Sequence, residues 1–384
     1  MLAGLSAAGA LLLAPPLHAL AAAVEGCSQE PLRLADLAAA RGVRFGACVR
    51  TDMLPRETGQ WAASPYGRMM LEQCDIFTCA YFHWGNNTER TPGGFDFSAA
   101  EPLVAFAEAN GKQVRGHSLA WYAHTPPWLG ESSGRSAAAL ALQSHIRKVV
   151  GTYAGRVQQW DVVNEGLSPK DGLPGGLRRC ALTEAIGDDW MAIAFEAARA
   201  ADPEAVLTYN DYNLESTGYK DSDDKRTALL GLLDRFRRQG TPIDAVGIQS
   251  HLFYRGWPSF DETAFAKFLA EVAARGVGIS VTELDVIDTG TPTDAGERDR
   301  VIADIYARYL AVVLDNPAVT TVVGWGLSDR EAWQNSGDSD QFRRRDGTAP
   351  RPMPFDADLR AKPAAHAVAG ALCAAAVRGS AKEQ

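Results

Sequence analysis

Apolar positions in this chain follow two alternating rhythms. Short runs of apolar and β-branched residues are separated by longer stretches in which apolar residues recur every three or four positions. The first rhythm suits a strand buried on both faces, the second an amphipathic helix. Strand candidates are 44–49, 74–80, 112–118, 160–164, 205–210, 243–249, 277–285 and 319–326. Helix candidates lie between them at 97–110, 137–153, 188–201, 227–238, 260–275 and 299–314. Leu103, Phe106 and Ala107 share one face of the first helix, and Ile302, Ile305, Tyr306 and Tyr309 one side of the last. Gly111, Gly240 and the dipeptide Asp202 with Pro203 stand where helices should stop.

Eight strands alternating with helices point to a parallel sheet, and eight is the number that closes a (β/α)8 TIM barrel. A doubly wound sheet competes, but no Gly-rich phosphate loop follows the first strand. No Ser/Pro-rich linker or repeat divides the 384 residues, so residues 24–384 are expected to form one α/β barrel domain. Residues 1–23 read as an export signal, with an apolar Leu11-Leu-Leu-Ala-Pro-Pro-Leu17 core and a small-x-small Ala19-Leu-Ala21 cleavage site. The usual positive charge before that core is missing. The expected destination is periplasmic or secreted, without membrane insertion after cleavage.

The net charge of -9 argues against a nucleic-acid groove or an anionic membrane, both of which need concentrated Lys and Arg. A neutral polysaccharide makes no such demand, and 9 Trp with 10 Tyr would suit sugar stacking. Cysteines at 27, 48, 74, 79, 180 and 373 lack the paired spacing of a zinc site. Cys48 and Cys79, inside strand candidates, read as reduced and buried. Neither a metal nor a cofactor is expected, and the chain reads as a monomer.

Two strand candidates end on carboxylates. Trp160-Asp-Val-Val-Asn-Glu165 closes on Asn164 and Glu165, and Val281-Thr-Glu-Leu-Asp285 on Glu283 and Asp285. Burying a charge there costs several kcal/mol unless it has partners or chemistry. In a closed parallel barrel the chemistry sits at the C-terminal strand ends. Those ends would gather His117, Asn164, Glu165, Asn210, Tyr212, Gln249, His251, Glu283, Asp285, Trp325 and Trp333. Two Glu, two His, amides and indoles without a metal cluster suit hydrolysis of a sugar polymer.

These residues fall into six ordered motifs: Arg115-Gly-His117-x-x-x-Trp121, Trp160-Asp-Val-Val-Asn-Glu165, Tyr209-Asn-Asp-Tyr-Asn213, Gly247-Ile-Gln-Ser-His251, Thr282-Glu-Leu-Asp285, and Trp325 to Trp333. In that order the chain resembles glycoside hydrolase family 10, the endo-1,4-β-xylanases, from Arg44 to about Pro363. The resemblance implies a retaining enzyme with Glu165 as acid/base and Glu283 as nucleophile. Such a mechanism needs carboxyls roughly 5–5.5 Å apart with separated pKa values. His251 should bond Glu283 and be oriented by Asp285, keeping the nucleophile ionised. Asn164 should meet the sugar 2-OH, Asn210 should support the site, and His117, Trp121, Tyr212, Gln249, Trp325 and Trp333 should wall the central subsites.

One stretch departs from the pattern. The family's Pro-Glu-Asn-x-x-Lys-Trp run is replaced by Thr78-Cys-Ala-Tyr-Phe-His-Trp84, and its Trp-His-x-Gln by Trp121-Tyr-Ala-His124. The glycone subsite is therefore expected to recognise a different or decorated sugar through Tyr81, Phe82, His83, Trp84, Tyr122 and His124. A non-xylan β-glycan substrate and a non-hydrolytic glycan-binding barrel remain the alternatives.

Overall fold

The computed structural model describes residues 31–130, 134–335 and 342–378, so the export segment expected at 1–23 lies outside the described residues. The eight expected strands are all present: β1 Arg44–Cys48, β2 Ile76–Cys79, β3 Gln113–Gly116, β4 Gln159–Asn164, β5 Val206–Asp211, β6 Ala245–Ile248, β7 Gly278–Ile287 and β8 Val319–Gly324. Each pairs in parallel with its neighbours in sequence. The ring closes where β8 lies against β1, Arg44 opposite Thr321. This is the eight-stranded parallel barrel of the TIM type, and helices cover the apolar outer face of its strands.

Strands β2 and β4 are buried along their whole length. In the layer outside the barrel Trp160 of β4 packs edge-on against Phe82, centroids 4.8 Å apart, and two covering helices meet through Phe195 and Phe236 at 5.5 Å. Gln159 and Arg115, which point into the barrel, find partners there. Gln159 donates to Thr208 Oγ1 at 3.0 Å and Ser280 Oγ at 3.1 Å, and Arg115 pairs with Asp161.

Two short extensions carry pairing beyond the barrel mouth. Ala120–Trp121 runs beside β4, setting Trp121 opposite Asn164, and His251–Phe253 runs beside β7, setting His251 opposite Asp285. Residues far apart in sequence thereby become neighbours through backbone register alone.

The helices expected from periodicity are present with shifted ends. The largest shift is in Lys220–Gln239, whose polar first two turns hid its start well before the expected Thr227. Among the described residues, four further α-helices, Leu34–Ala39, Pro65–Gln73, Ala181–Ile186 and Pro363–Ala374, go beyond those expected. Among the described residues no helix is long and apolar enough to cross a membrane. Cys48, Cys74 and Cys79 are free and buried, Cys180 is free, and Cys373 is disulfide-bonded.

Candidate active site

Strand β4 ends on a chain that must turn out of the sheet while keeping Glu165 over the barrel. Glu165 does so at φ 59°, a left-handed conformation rarely adopted by non-glycine residues. Its N–H donates to Asn210 O at 2.8 Å, and Arg178 Nε donates to its carbonyl at 2.6 Å, so the unfavourable conformation is pinned from both sides. Ser250, before His251, is similarly left-handed at φ 64°, and its hydroxyl lies 2.6 Å from that of Tyr309.

The side chains at these strand ends form one hydrogen-bonded chain. Gln249 Nε2 donates to Glu165 Oε1 at 3.0 Å and to Asn164 Oδ1 at 3.3 Å. Asn210 Nδ2 donates to the same Asn164 oxygen at 2.9 Å and to Glu283 Oε1 at 2.7 Å. Thr282 Oγ1 donates to Asn210 Oδ1 at 2.6 Å, which fixes the amide so that its nitrogen faces the carboxylate. Glycine at 247 is required for this: a Cβ there would stand 2.3 Å from Asn210 Oδ1.

On the other side of Glu283, His251 Nε2 lies 3.2 Å from Oε2, and its Nδ1 lies 2.8 Å from Asp285 Oδ1. Trp333 Nε1 donates to the second Asp285 oxygen at 2.5 Å. His117 is buried beneath, with Nδ1 2.7 Å from Asp161, and Trp325 stands edge-on to it at 5.3 Å.

The two glutamates are both buried, yet their surroundings pull them in opposite directions. Burial and the negative charge of Asp211 lift the Glu165 carboxyl above its ordinary range, against the hydrogen bond from Gln249. Burial would lift Glu283 too, but the hydrogen bond from His251 and the positive charges of His117, His251 and Arg115 bring it below that range. Burial disfavours a charged His251, but Asp285 and Glu283 outweigh it and raise that imidazole well above its usual value. One carboxyl raised and one lowered thus share one network, the separation that acid and nucleophile need.

The glycone stretch corrects an expectation. Phe82 and Trp84 cannot stack on a sugar, because both face the layer between barrel and helices. Phe82 is fully buried, edge-on to Tyr153 at 5.1 Å and Trp160 at 4.8 Å. Trp84 lies flat on His145 at 4.5 Å and donates to Glu89 Oε2 at 2.9 Å. Alternation along the segment after β2 turns these two inward and leaves Tyr81 and His83 half-buried on the other side. The Tyr81 hydroxyl is held 2.6 Å from Thr51 Oγ1. His83 stacks flat on His124 at 4.2 Å, with Trp121 4.6 Å from His124 and His117 5.4 Å from His83. Burial, helped by neighbouring histidines, holds the His83 imidazole well below its usual range and lowers His124 as well.

Tyr122 is exposed at the rim, with the Arg178 guanidinium 4.1 Å over its ring. The same arginine donates to the Tyr212 hydroxyl at 3.0 Å. Lys225 Nζ lies 3.4 Å over the Tyr212 ring and 2.6 Å from Asp211 Oδ1. Periodicity and motif spacing did not single out Arg178 or Lys225, whose partners come from other elements, and Asp211 and Thr282, though inside the ordered motifs, carried no expected role. Among the described residues no group of His, Cys, Asp or Glu could hold a metal ion.

A model of glycosyl hydrolase family 10 matches residues 33–371. Endo-1,4-β-xylanase 5 of Pyricularia oryzae is 34% identical over 75% of this chain and 67% of its own length. Endo-1,4-β-xylanase C of Paenibacillus barcinonensis is 32% identical over 78% of this chain, which spans 28% of that longer protein. Among solved structures, xylanase 10B of Thermotoga petrophila in complex with xylobiose superposes with a TM-score of 0.76 at 27% identity, covering 90% of this chain and 98% of that one.

Proposed function

The chain belongs to glycosyl hydrolase family 10, and from that premise we propose that it cleaves β-1,4-linked xylan, or a related and decorated β-glycan, with retention at the anomeric carbon. One observation carries the reading: two buried glutamates in a single amide-linked network, one lifted by burial and the other lowered by its imidazole partner.

Glu283 attacks the anomeric carbon while the glycosidic C–O bond breaks, and Glu165 gives its proton to the departing oxygen. The nucleophile's charge is consumed in the new ester bond. Glu165, now ionised, takes a proton from a water whose oxygen attacks the same carbon, and the ester bond breaks to restore the Glu283 carboxylate. Asn164, whose Oδ1 accepts from Asn210 and Gln249, is the residue we assign to the 2-OH of the reacting sugar, a contact that strengthens in the transition state. Activity falls as pH drops through the lowered Glu283 value, because the nucleophile is protonated. It falls again as pH rises through the raised Glu165 value, because the acid is spent.

The glycone wall supports the second half of the proposal. His83 and His124 present imidazoles where the family pattern has Lys and Gln, and Tyr122 a phenol where it has His, beside a Trp121 that the pattern shares, so the sugar beyond the reacting unit differs from plain xylose or carries a substituent. Proton NMR of the first-formed anomer, run across linear and branched β-glycans, tests both parts. A β-anomer appearing first, with branched substrates preferred, is expected. An α-anomer first would remove the double displacement, and top efficiency on unsubstituted xylan would remove the altered glycone specificity. The same proposal includes export directed by residues 1–23, a single catalytic barrel over residues 24–384, and action as a monomer.

A further inference from the structure

The acid half of the site contains a buried cation that the reaction scheme does not use. Lys225 projects from the helix Lys220–Gln239, and its side chain is 5% exposed. Its ammonium lies 2.6 Å from Asp211 Oδ1 and 3.4 Å over the Tyr212 ring. The remaining bonds of Asp211 are already committed: Tyr209 OH donates to Oδ2 at 2.5 Å, and the Tyr212 N–H to Oδ1 at 2.9 Å. A buried carboxylate fixed on three sides cannot swing away from its neighbour, so its charge acts on Glu165 from a constant position. Tyr212 is equally constrained, with Lys225 on one face and its hydroxyl accepting from Arg178, which also holds the Glu165 carbonyl.

We propose that Lys225 is a positioning residue for the acid/base: by anchoring Asp211 and Tyr212 and offsetting the Asp211 charge, it sets the pH at which Glu165 gives up its proton. The proposal rests on Glu165 being the acid. Charged and titratable groups reach Glu165 from every side. Asp211 comes from β5, Glu283 from β7, Lys225 from its helix, Arg178 from the loop after β4 and Tyr122 from the loop after β3. Of these, Asp211 and Glu283 favour the protonated acid and Lys225 opposes it. Removing Lys225 leaves Asp211 uncompensated in a buried place, so Glu165 should hold its proton to higher pH. A residue that merely filled space would lower activity equally at all pH values.

The experiment is the pH profile of kcat/KM for the full chain on a xylo-oligosaccharide, whose leaving sugar needs protonation. For K225Q the basic limb should move up by about one pH unit, the size of shift a neighbouring charge commonly produces. D211N should move it down, and K225Q/D211N should follow D211N, since without the carboxylate there is little left to offset. K225R, which keeps the charge, should keep the wild-type limb. An unmoved limb in K225Q, or a double variant that follows K225Q, overturns the proposal. Should K225Q not fold, D211N and K225R decide it: a D211N limb at the wild-type position, or a displaced K225R limb, overturns it. E165Q separates the two layers. If E165Q retains turnover of the oligosaccharide, the acid assignment itself is wrong; if E165Q is inactive and the K225Q limb is unmoved, only the role of Lys225 fails.

Discussion

Two walls of the same cleft are built on different principles. Around Glu283 and Glu165 the contacts are directional hydrogen bonds that end on the two carboxyls: Thr282 orients Asn210, Asn210 donates to Asn164 and Glu283, and Gln249 donates to Glu165. Around His83 and His124 the contacts are ring against ring, and His83 Nε2, His124 Nδ1 and Trp121 Nε1 have no hydrogen-bond partner among the described residues. The first wall is preorganised for one charge distribution, the arrangement that stabilises a transition state. The second offers shape and aromatic faces with few directional bonds. Chemistry requires fixed polar geometry, whereas recognition of a neighbouring sugar can be rebuilt from stacking.

The sharpest way to break this contrast is at the nucleophile. E283A should lower kcat by at least about 10⁴-fold, the scale seen when a covalent nucleophile is lost. Oligosaccharide affinity, read by calorimetry, should stay within a few-fold, because the aromatic wall proposed to hold the neighbouring sugar is untouched. Turnover surviving in E283A would make the polar wall something other than a catalytic centre. Next in size is F82A, which tests the boundary between wall and core. Phe82 is fully buried, so its truncation should cost roughly 3–5 kcal/mol in chemical denaturation. A change in KM without loss of stability would return Phe82 to the sugar-binding face. The smallest effect is expected from H83A, about 1–2 kcal/mol in the apparent binding of substrates that reach past the reacting unit. Aryl glycosides that stop at the reacting sugar should be unaffected; equal losses on both would mean His83 supports the catalytic wall as well.

Much of the barrel could be read from periodicity because its strands are continuous apolar runs separated by amphipathic helices. Helices such as Pro65–Gln73 escaped notice, although Ser64 caps its first turn by accepting from Gly67 N at 3.0 Å. In its nine residues Pro65 and Gly67 read as turn signals, which masked the apolar face of Tyr66, Met69 and Met70. At the site, Asn164, Glu165, Glu283 and Asp285 stood out because acidic and amide residues ending a β-branched run conflict with burial. Lys225 and Arg178 gave no such signal, since a cation on a polar helical turn or loop looks solvated until its partner is known. Phe82 and Trp84 were misassigned because, past the last paired residue of β2, one residue of phase decides whether a ring meets sugar or core.

The backbone turn at Glu165 has a consequence for how this protein could change over time. Its left-handed backbone is one that asparagine or glycine would occupy with less cost than glutamate. If Glu165 is the proton donor proposed above, exchanging it for either would relax the fold while silencing the reaction, so drift toward greater robustness and drift toward inactivity run along the same path. Only demand for bond cleavage keeps an ill-fitting residue in that seat.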